Sequence, residues 1–368
     1  FGVVDKGGVY FRPNQILPLL VRYLGVERGL KGRVIATQTG SPLIEILAGM
    51  IPGNDENKPM EGALPGYVNH PFYHIRIGSR EDRILKNAFL VPVGIKYIEE
   101  IRRTDRAYQT QKDLPADWRD RILIGGEESS GLTTRGHVTD KDGPWANLLV
   151  MDMLAYFGTR KDNPLTTISE IWEDTVQMEG LWNSFGSSPD DPTSHTGRTD
   201  VDAPLEAKEA FINYYLDLPQ NESQPQVAGL GIAYLGGIRY DVAEMQLRDS
   251  DGDERYQFRV RASGTEPINR IYVESKDPNL GRKIMDAALE QLEDLTIVEI
   301  RKAYSEWRLV DMLTQTRLTE KTRQAVIETV QDKGWQMENV RDKLVTAMQV
   351  LENRNRKIAS AWSQVILN

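Results

Sequence analysis

The sequence has 368 residues, 45 basic and 54 acidic, for a net charge of −9 with histidine neutral. So acidic a chain lacks the dense basic surface that wrapping a phosphate backbone requires, and no nucleic-acid partner is expected. It holds no cysteine, which excludes disulfide frameworks, thiolate nucleophiles and cysteine-bound zinc together and fits a reducing, cytoplasmic setting.

Length predicts roughly two to three domains around a sizeable buried core. Hydrophobic residues at 40% and charged ones at 27% exclude wholesale disorder. The longest apolar run, Leu148 to Phe157, is interrupted by Asp152. It falls short of the ~20 residues a bilayer span needs, so no membrane partner is expected. With four histidines (His70, His74, His137 and His195), a histidine-rich metal centre is not expected. The opening Phe1 and the absence of a signal pattern suggest a fragment or a processed chain.

In chain order, residues 1 to about 160 alternate short β-rich runs with helix-like stretches. Ile16-Leu17-Pro18-Leu19-Leu20-Val21 reads as a helix with Pro18 near its first turn. Arg33-Val34-Ile35-Ala36 and Arg121-Ile122-Leu123-Ile124 read as strands ending in Gly-, Ser- or Thr-rich turns. This alternation predicts an α/β layer with a largely parallel sheet. Asn183 to Asp202 is rich in Ser, Pro, Asp, Thr and Gly and reads as linker, with a domain boundary inside it. Residues 205–294 read as helix, strand, strand, strand, helix, with Asp251-Gly252 as a hairpin turn. From Thr296 on, 73 residues contain no proline and one glycine, Gly334. Val340, Leu344, Met348 and Leu351 share one helical face there. This tail reads as two or three amphipathic helices, with Gly334 as a C-cap.

Two segments carry chemistry. Arg261-Ala-Ser263-Gly264-Thr265-Glu266-Pro267, then Arg270, follows an alternating strand. Glycine admits close approach of an anion, hydroxyls and free N–H groups donate to it, and arginines add charged bidentate donors. An oxyanion cradle and an ordinary polar turn both remain open on these grounds. Glu266-Pro267 opens either a helix or a turn. Gly125-Gly126-Glu127-Glu128-Ser129-Ser130-Gly131 follows the strand ending at Ile124. A carboxylate and a hydroxyl two residues apart suit adjacent sugar hydroxyls, and a capped turn suits the same letters. Asp249 to Arg255 echoes a metal loop, but lacks the EF-hand's sixth-position glycine and reads as a hairpin turn.

Arg261 to Pro267, with Arg270 and Tyr272, resembles the phosphate-binding loop in the last domain of the α-D-phosphohexomutases, the family of phosphoglucomutase and phosphomannomutase. The Gly126-Glu127-Glu128-Ser129 run is similar to that family's sugar-recognition loop, with Ser130 where a glycine is usual. Its Glu-Glu-Ser form is more like the glucose-preferring branch. His137 and Lys141-Asp142-Gly143-Pro144-Trp145-Ala146 match a further family segment. So does Pro92-Val93-Gly94-Ile95-Lys96, with Ile95 in place of an aromatic. Phe1 to Asp5 and Val9 to Phe11 look like the tail of the family's metal loop.

The resemblance implies a fold and a reaction. Residues 1–12 would close a truncated second domain, and 13–165 would form an α/β/α sugar-recognition domain with a mixed sheet. Residues 166–204 would connect it to a smaller α+β phosphate-binding domain at 205–294, and 295–368 would be a helical extension. The reaction would interconvert hexose 1- and 6-phosphates through a phosphoserine enzyme and a glucose 1,6-bisphosphate intermediate. Mg2+ would be held by aspartates outside this sequence, as would be the phosphoryl-carrying serine. These residues alone would then be inactive. Arg261, Ser263, Gly264, Thr265 and Arg270 would hold phosphate, and Glu127, Ser129 and His137 would hold sugar. Lys141 and Lys96 would be catalytic. Phosphomannomutase or dual activity is the alternative within the family. A non-catalytic phosphosugar-binding protein is the alternative outside it. The tail, at +3 against −12 for the rest (12 basic and 9 acidic residues from 296), reads as packing on the body or self-associating rather than as a dedicated partner site.

Overall fold

The computed structural model describes residues 1–37, 39–54, 74–78, 88–91, 93–99, 122–138, 140–178, 196–221, 224–248, 255–274, 278–351 and 353–365. The chain divides into two units, one comprising Phe1–His74, Gly78–Thr196 and Glu274–Pro278, the other Ile75–Ile77, Gly197–Val273 and Asn279–Asn368.

In the first unit, β1 (Val3–Val4) and β2 (Tyr10–Phe11) pair as an antiparallel ribbon. Helix α1 (Pro13–Val21) opens on Pro13, whose fixed φ suits a first turn and whose missing N–H is no loss there. Pro18, expected near the first turn, lies in the helix interior instead. The helix runs on as a wider π turn, Arg22–Glu27. Arg22 anchors that turn, donating from Nη1 to Thr175 Oγ1 at 2.7 Å and from Nη2 to Asp174 Oδ2 at 2.5 Å. The chain continues through β3 (Arg33–Thr37) and α2 (Pro42–Gly49), capped by Ser41, to β4 (His74–Ile77), which joins the other unit's sheet. It returns with β5 (Phe89–Val91), β6 (Ile122–Gly126) and β7 (Leu132–Thr134). The sheet order is β5-β3-β6-β7, parallel across the first two pairings and antiparallel at the last. Helices α3 (Gly143–Gly158) and α4 (Ile168–Val176) complete this α/β unit. Thr167 and Glu170 form a reciprocal capping box at the start of α4.

The second unit is α+β. Its ranges are β8 (Thr196–Asp202), α5 (Leu205–Asn221), β9 (Gln226–Val227), β10 (Leu230–Ile238), β11 (Val242–Arg248), β12 (Arg255–Ala262), β13 (Ile268–Glu274) and α6 (Pro278–Arg301). The sheet runs β4-β10-β11-β12-β13-β8, with β9 also on β10. Alternate residues Ala243, Met245 and Leu247, with Phe258 and Val260, pack on Phe211, Ile284 and Ala288. The three expected strands are thus extended by β9 and β13. Pro267 ends a turn rather than opening a helix, and the β-branched and aromatic residues after it pair as a strand. The end of the expected linker is strand β8, an outer strand, where polar residues are tolerated. Residues 183–195 and the hairpin turn at 249–254 lie outside the described residues, although β11 and β12 pair antiparallel with Arg248 opposite Arg255.

The tail forms α7 (Glu306–Leu313), α8 (Glu320–Asp332), α9 (Met337–Met348) and α10 (Asn353–Val365), more helices than its periodicity suggested. The breaks are chemical. Ser305 and Thr319 cap new N-termini, and Gly334, at φ 68°, closes α8. There Trp335 N–H reaches Val330 O at 2.9 Å and Gly334 N–H reaches Gln331 O at 3.0 Å, a Schellman closure. Val340, Leu344 and Trp362 are fully buried in a core of the tail's own, and Trp362 Nε1 donates to Thr316 O at 2.9 Å. Among the described residues, no helix is long and apolar enough to cross a membrane.

Candidate functional site

Strand β6 ends on two glycines for a packing reason. A Cβ on Gly125 would stand 2.6 Å from Ile98, and one on Gly126 would stand 2.6 Å from Leu17. Any side chain there would therefore displace its neighbours. The loop that follows is tight. Glu127 N–H donates to Gly131 O at 2.8 Å and Ser130 N–H to Glu127 O at 3.2 Å. Ser130 adopts φ 77°, a left-handed conformation that glycine takes without strain.

The two glutamates diverge. Glu128 is 5% exposed and accepts from Thr37 Oγ1 at 2.8 Å, which ties it to the end of β3. Glu127 is 4% exposed and lies over Gly131, where an added Cβ would be 2.2 Å from its Oε2. Ser129 Oγ donates to Glu127 Oε2 at 3.4 Å, and the Ile95 amide also bonds this carboxylate. Burial raises the Glu127 pKa, the charge of Lys141 opposes the rise, and Glu128 adds to it. The structure therefore brings Glu127, Ser129, Lys141 and the Ile95 segment together. Such a set can accept from, and donate to, vicinal hydroxyls. Ser129 and Lys141 are both solvent-exposed.

His137 lies at the start of α3, and Lys96 lies beside Tyr97. His137 Nε2 is 2.9 Å from Asp142 Oδ2, and the ring stacks on Trp145 at 4.7 Å between centroids. Asp142 caps α3 through Trp145 N–H at 3.0 Å, and Trp145 Nε1 donates to Thr134 Oγ1 at 2.8 Å. The Trp145 amide and His137 hold the Asp142 pKa below its ordinary value. His137 thus braces the start of α3. Lys96 is exposed, with its ammonium 4.8 Å from the centre of the Tyr97 ring.

In the second unit, the Arg261–Arg270 segment joins β12 to β13. Ser263 N–H pairs with Ile268 O at 3.0 Å, so Gly264, Thr265 and Glu266 protrude into solvent. Among the described residues, the amides of these three donate to no carbonyl. A Cβ on Gly264 would meet nothing within 4 Å. Arg261 has a side chain 13% exposed, and its Nε and Nη1 make no hydrogen bond; Asp241 Oδ1 lies 3.9 Å from Nε. Arg270 donates from Nη2 to Glu266 Oε2 at 2.9 Å, and its Nε is 3.7 Å from Asp200 Oδ2. Burial would raise the Asp200 pKa. The hydrogen bonds and charge of Arg198, with the charges of Arg270 and Arg354, reverse this and keep it low. Desolvated guanidinium donors beside open backbone N–H groups form a site for a compact dianion.

Two features escaped the sequence reading. Nothing in the Glu-Glu pair indicates which carboxylate is tied to Thr37 and which lies near Lys141. Lys208, on α5, donates to Ser263 O and Glu266 O at 2.8 Å each. Its signal was a charge placed one turn before Phe211 and Ile212, on the apolar face of the helix.

Residues 83–177 match the family model for phosphoglucomutase/phosphomannomutase α/β/α domain III. Over 205 residues the chain is 26% identical to the chloroplastic phosphoglucomutase of Solanum tuberosum, covering 50% of this chain and 31% of that protein. It is 24% identical to the chloroplastic phosphoglucomutase of Arabidopsis thaliana, with the same coverage. The matched region thus spans about a third of each curated relative. A crystal structure of a phosphoglucomutase/phosphomannomutase family protein from Burkholderia thailandensis aligns with a TM-score of 0.41 and 13% identity, covering 80% of this chain and 44% of that one.

Proposed function

We propose that this chain, a member of the phosphoglucomutase/phosphomannomutase family through its domain III, holds hexose phosphates for a phosphoglucomutase-type reaction in the cytoplasm. That reaction interconverts hexose 1-phosphate and hexose 6-phosphate through a phosphoserine enzyme and a glucose 1,6-bisphosphate intermediate. Glu127 accepts hydrogen bonds from sugar hydroxyls, and Ser129 adds a hydroxyl that both donates and accepts. Lys141, beside Glu127, steers phosphate and assists proton transfer at the sugar oxygen. Lys96 supports the same pocket from the neighbouring segment. Arg261, Ser263, Gly264, Thr265 and Arg270 hold a phosphate by fixed charge and hydrogen bonds. This is positioning and electrostatic work, with no covalent step in the loop. Magnesium would supply charge neutralisation at the transferring phosphoryl group. Among the described residues, no group of three or more His, Asp or Glu could hold it. The tail's role in self-association belongs to the same proposal.

The observation that carries this reading is Arg261, a largely buried guanidinium with two nitrogens lacking hydrogen bonds beside an open loop. A buried donor without a partner is costly and is satisfied by an incoming anion. Calorimetric titration of the chain tests it. Glucose 1-phosphate or glucose 6-phosphate should bind in a salt-sensitive manner, and free glucose far less. Arg261→Ala should weaken phosphate-ester binding about tenfold or more, the equivalent of a charge-assisted hydrogen bond. Equal binding of glucose and its phosphates, or indifference to Arg261→Ala, would make the loop an ordinary turn.

A further inference from the structure

We infer that Lys208 is the positioning residue of the anion loop, turning its first amide outward and adding a positive charge beneath it. This rests on the phosphate reading of Arg261–Arg270. Lys208 is 5% exposed, so its ammonium has lost most of its water and must be satisfied by protein groups. Two donors are satisfied by Ser263 O and Glu266 O, the carbonyls that flank the protruding Gly264-Thr265 pair. Among the described residues, no carboxylate lies within ion-pair distance of it. Its positive charge is offset only in part, by the more distant carboxylates of Glu209 and Glu266, and adds to the field at the loop.

Peptide geometry converts those two bonds into a function. In a trans peptide the C=O and the following N–H point in opposite directions. Drawing Ser263 O toward Lys208 therefore turns Gly264 N–H away from it, in an exposed turn where even an added Cβ on Gly264 would meet nothing within 4 Å. The second carbonyl, on Glu266, precedes Pro267, which has no N–H to present. One ammonium thus fixes both ends of the protruding turn while leaving its donors free. Burial pushes the Lys208 pKa down. Glu209 on its own helix and Glu266 on the loop oppose this, while Arg270 adds to it.

The test titrates inorganic phosphate into the full chain, following the Gly264 amide and the Lys208 ammonium by 15N NMR at several ionic strengths. In the wild type both resonances should move. Lys208→Met should bind about tenfold more weakly with a shallower salt dependence, and Lys208→Arg, which keeps the charge and two donors, should recover most of the loss. A folded Lys208→Met chain with unchanged affinity and salt dependence overturns the inference and leaves the phosphate reading intact. Should Lys208→Met not fold, the wild-type ammonium resonance decides. Movement with phosphate supports the role, and a stationary signal overturns it. No phosphate binding by the wild type removes the phosphate reading, and the role of Lys208 with it.

Discussion

Thr37 Oγ1 donates to Glu128 Oε2 at 2.8 Å, and this bond ties the second glutamate of the loop to the sheet while its neighbour Glu127 lies near Lys141. Adjacent, chemically identical side chains are thereby given unlike work. Thr37→Val keeps the shape and removes the donor, so it should lower stability by about 1.5–3 kcal/mol, the range for a hydrogen bond to a charged group. Urea denaturation measures this, and an unchanged midpoint would show that the bond contributes nothing.

Glu127 should behave in the opposite way. Its pKa is raised in the folded state, so folding takes up protons and the ionised form destabilises the protein. The penalty is absent below the ordinary carboxylate value of 4.5, grows as pH rises toward the folded pKa, and is constant above it. Glu127→Gln should therefore be more stable than wild type at pH 7, with the difference vanishing below 4.5, while sugar-phosphate binding weakens. Thermal unfolding across this pH range checks the sign. A variant equally stable at both ends would place the carboxylate in water.

Ser130 occupies a left-handed conformation at the position where the resembling family has glycine. Ser130→Gly relieves the steric cost but gives the unfolded chain more freedom, so a net gain of about 0.5–1 kcal/mol is expected. The gain should appear as a higher Tm without a change in ligand affinity. A lower Tm would mean that the serine side chain makes a compensating contact.

What the sequence made legible was local. The alternation of strands and helices, the glycine that closes α8 and the donor-rich loop after β12 are each written in a short run of letters. What it hid depended on distant partners. A lysine in an amphipathic helix reads as solvated, and only the fold brings Lys208 beneath Ser263, 55 positions away. Thr196–Asp202 looks like linker because its polar side chains suit an outer strand as well as a loop. That Asp142 and Trp145 hold the His137 ring is likewise visible only in the fold.

Strand β4 has a consequence for anyone dissecting the molecule. It comes from residues 74–77 yet hydrogen-bonds to β10 in a sheet otherwise built from residues 196–274. Cutting the gene near residue 196 would leave part of β10 unpaired beyond the reach of the short β9, a template for self-recruitment. A stand-alone carboxy-terminal half should therefore precipitate or oligomerise through that margin. Co-expression with a short peptide spanning residues 74–77 should restore it to a single soluble species.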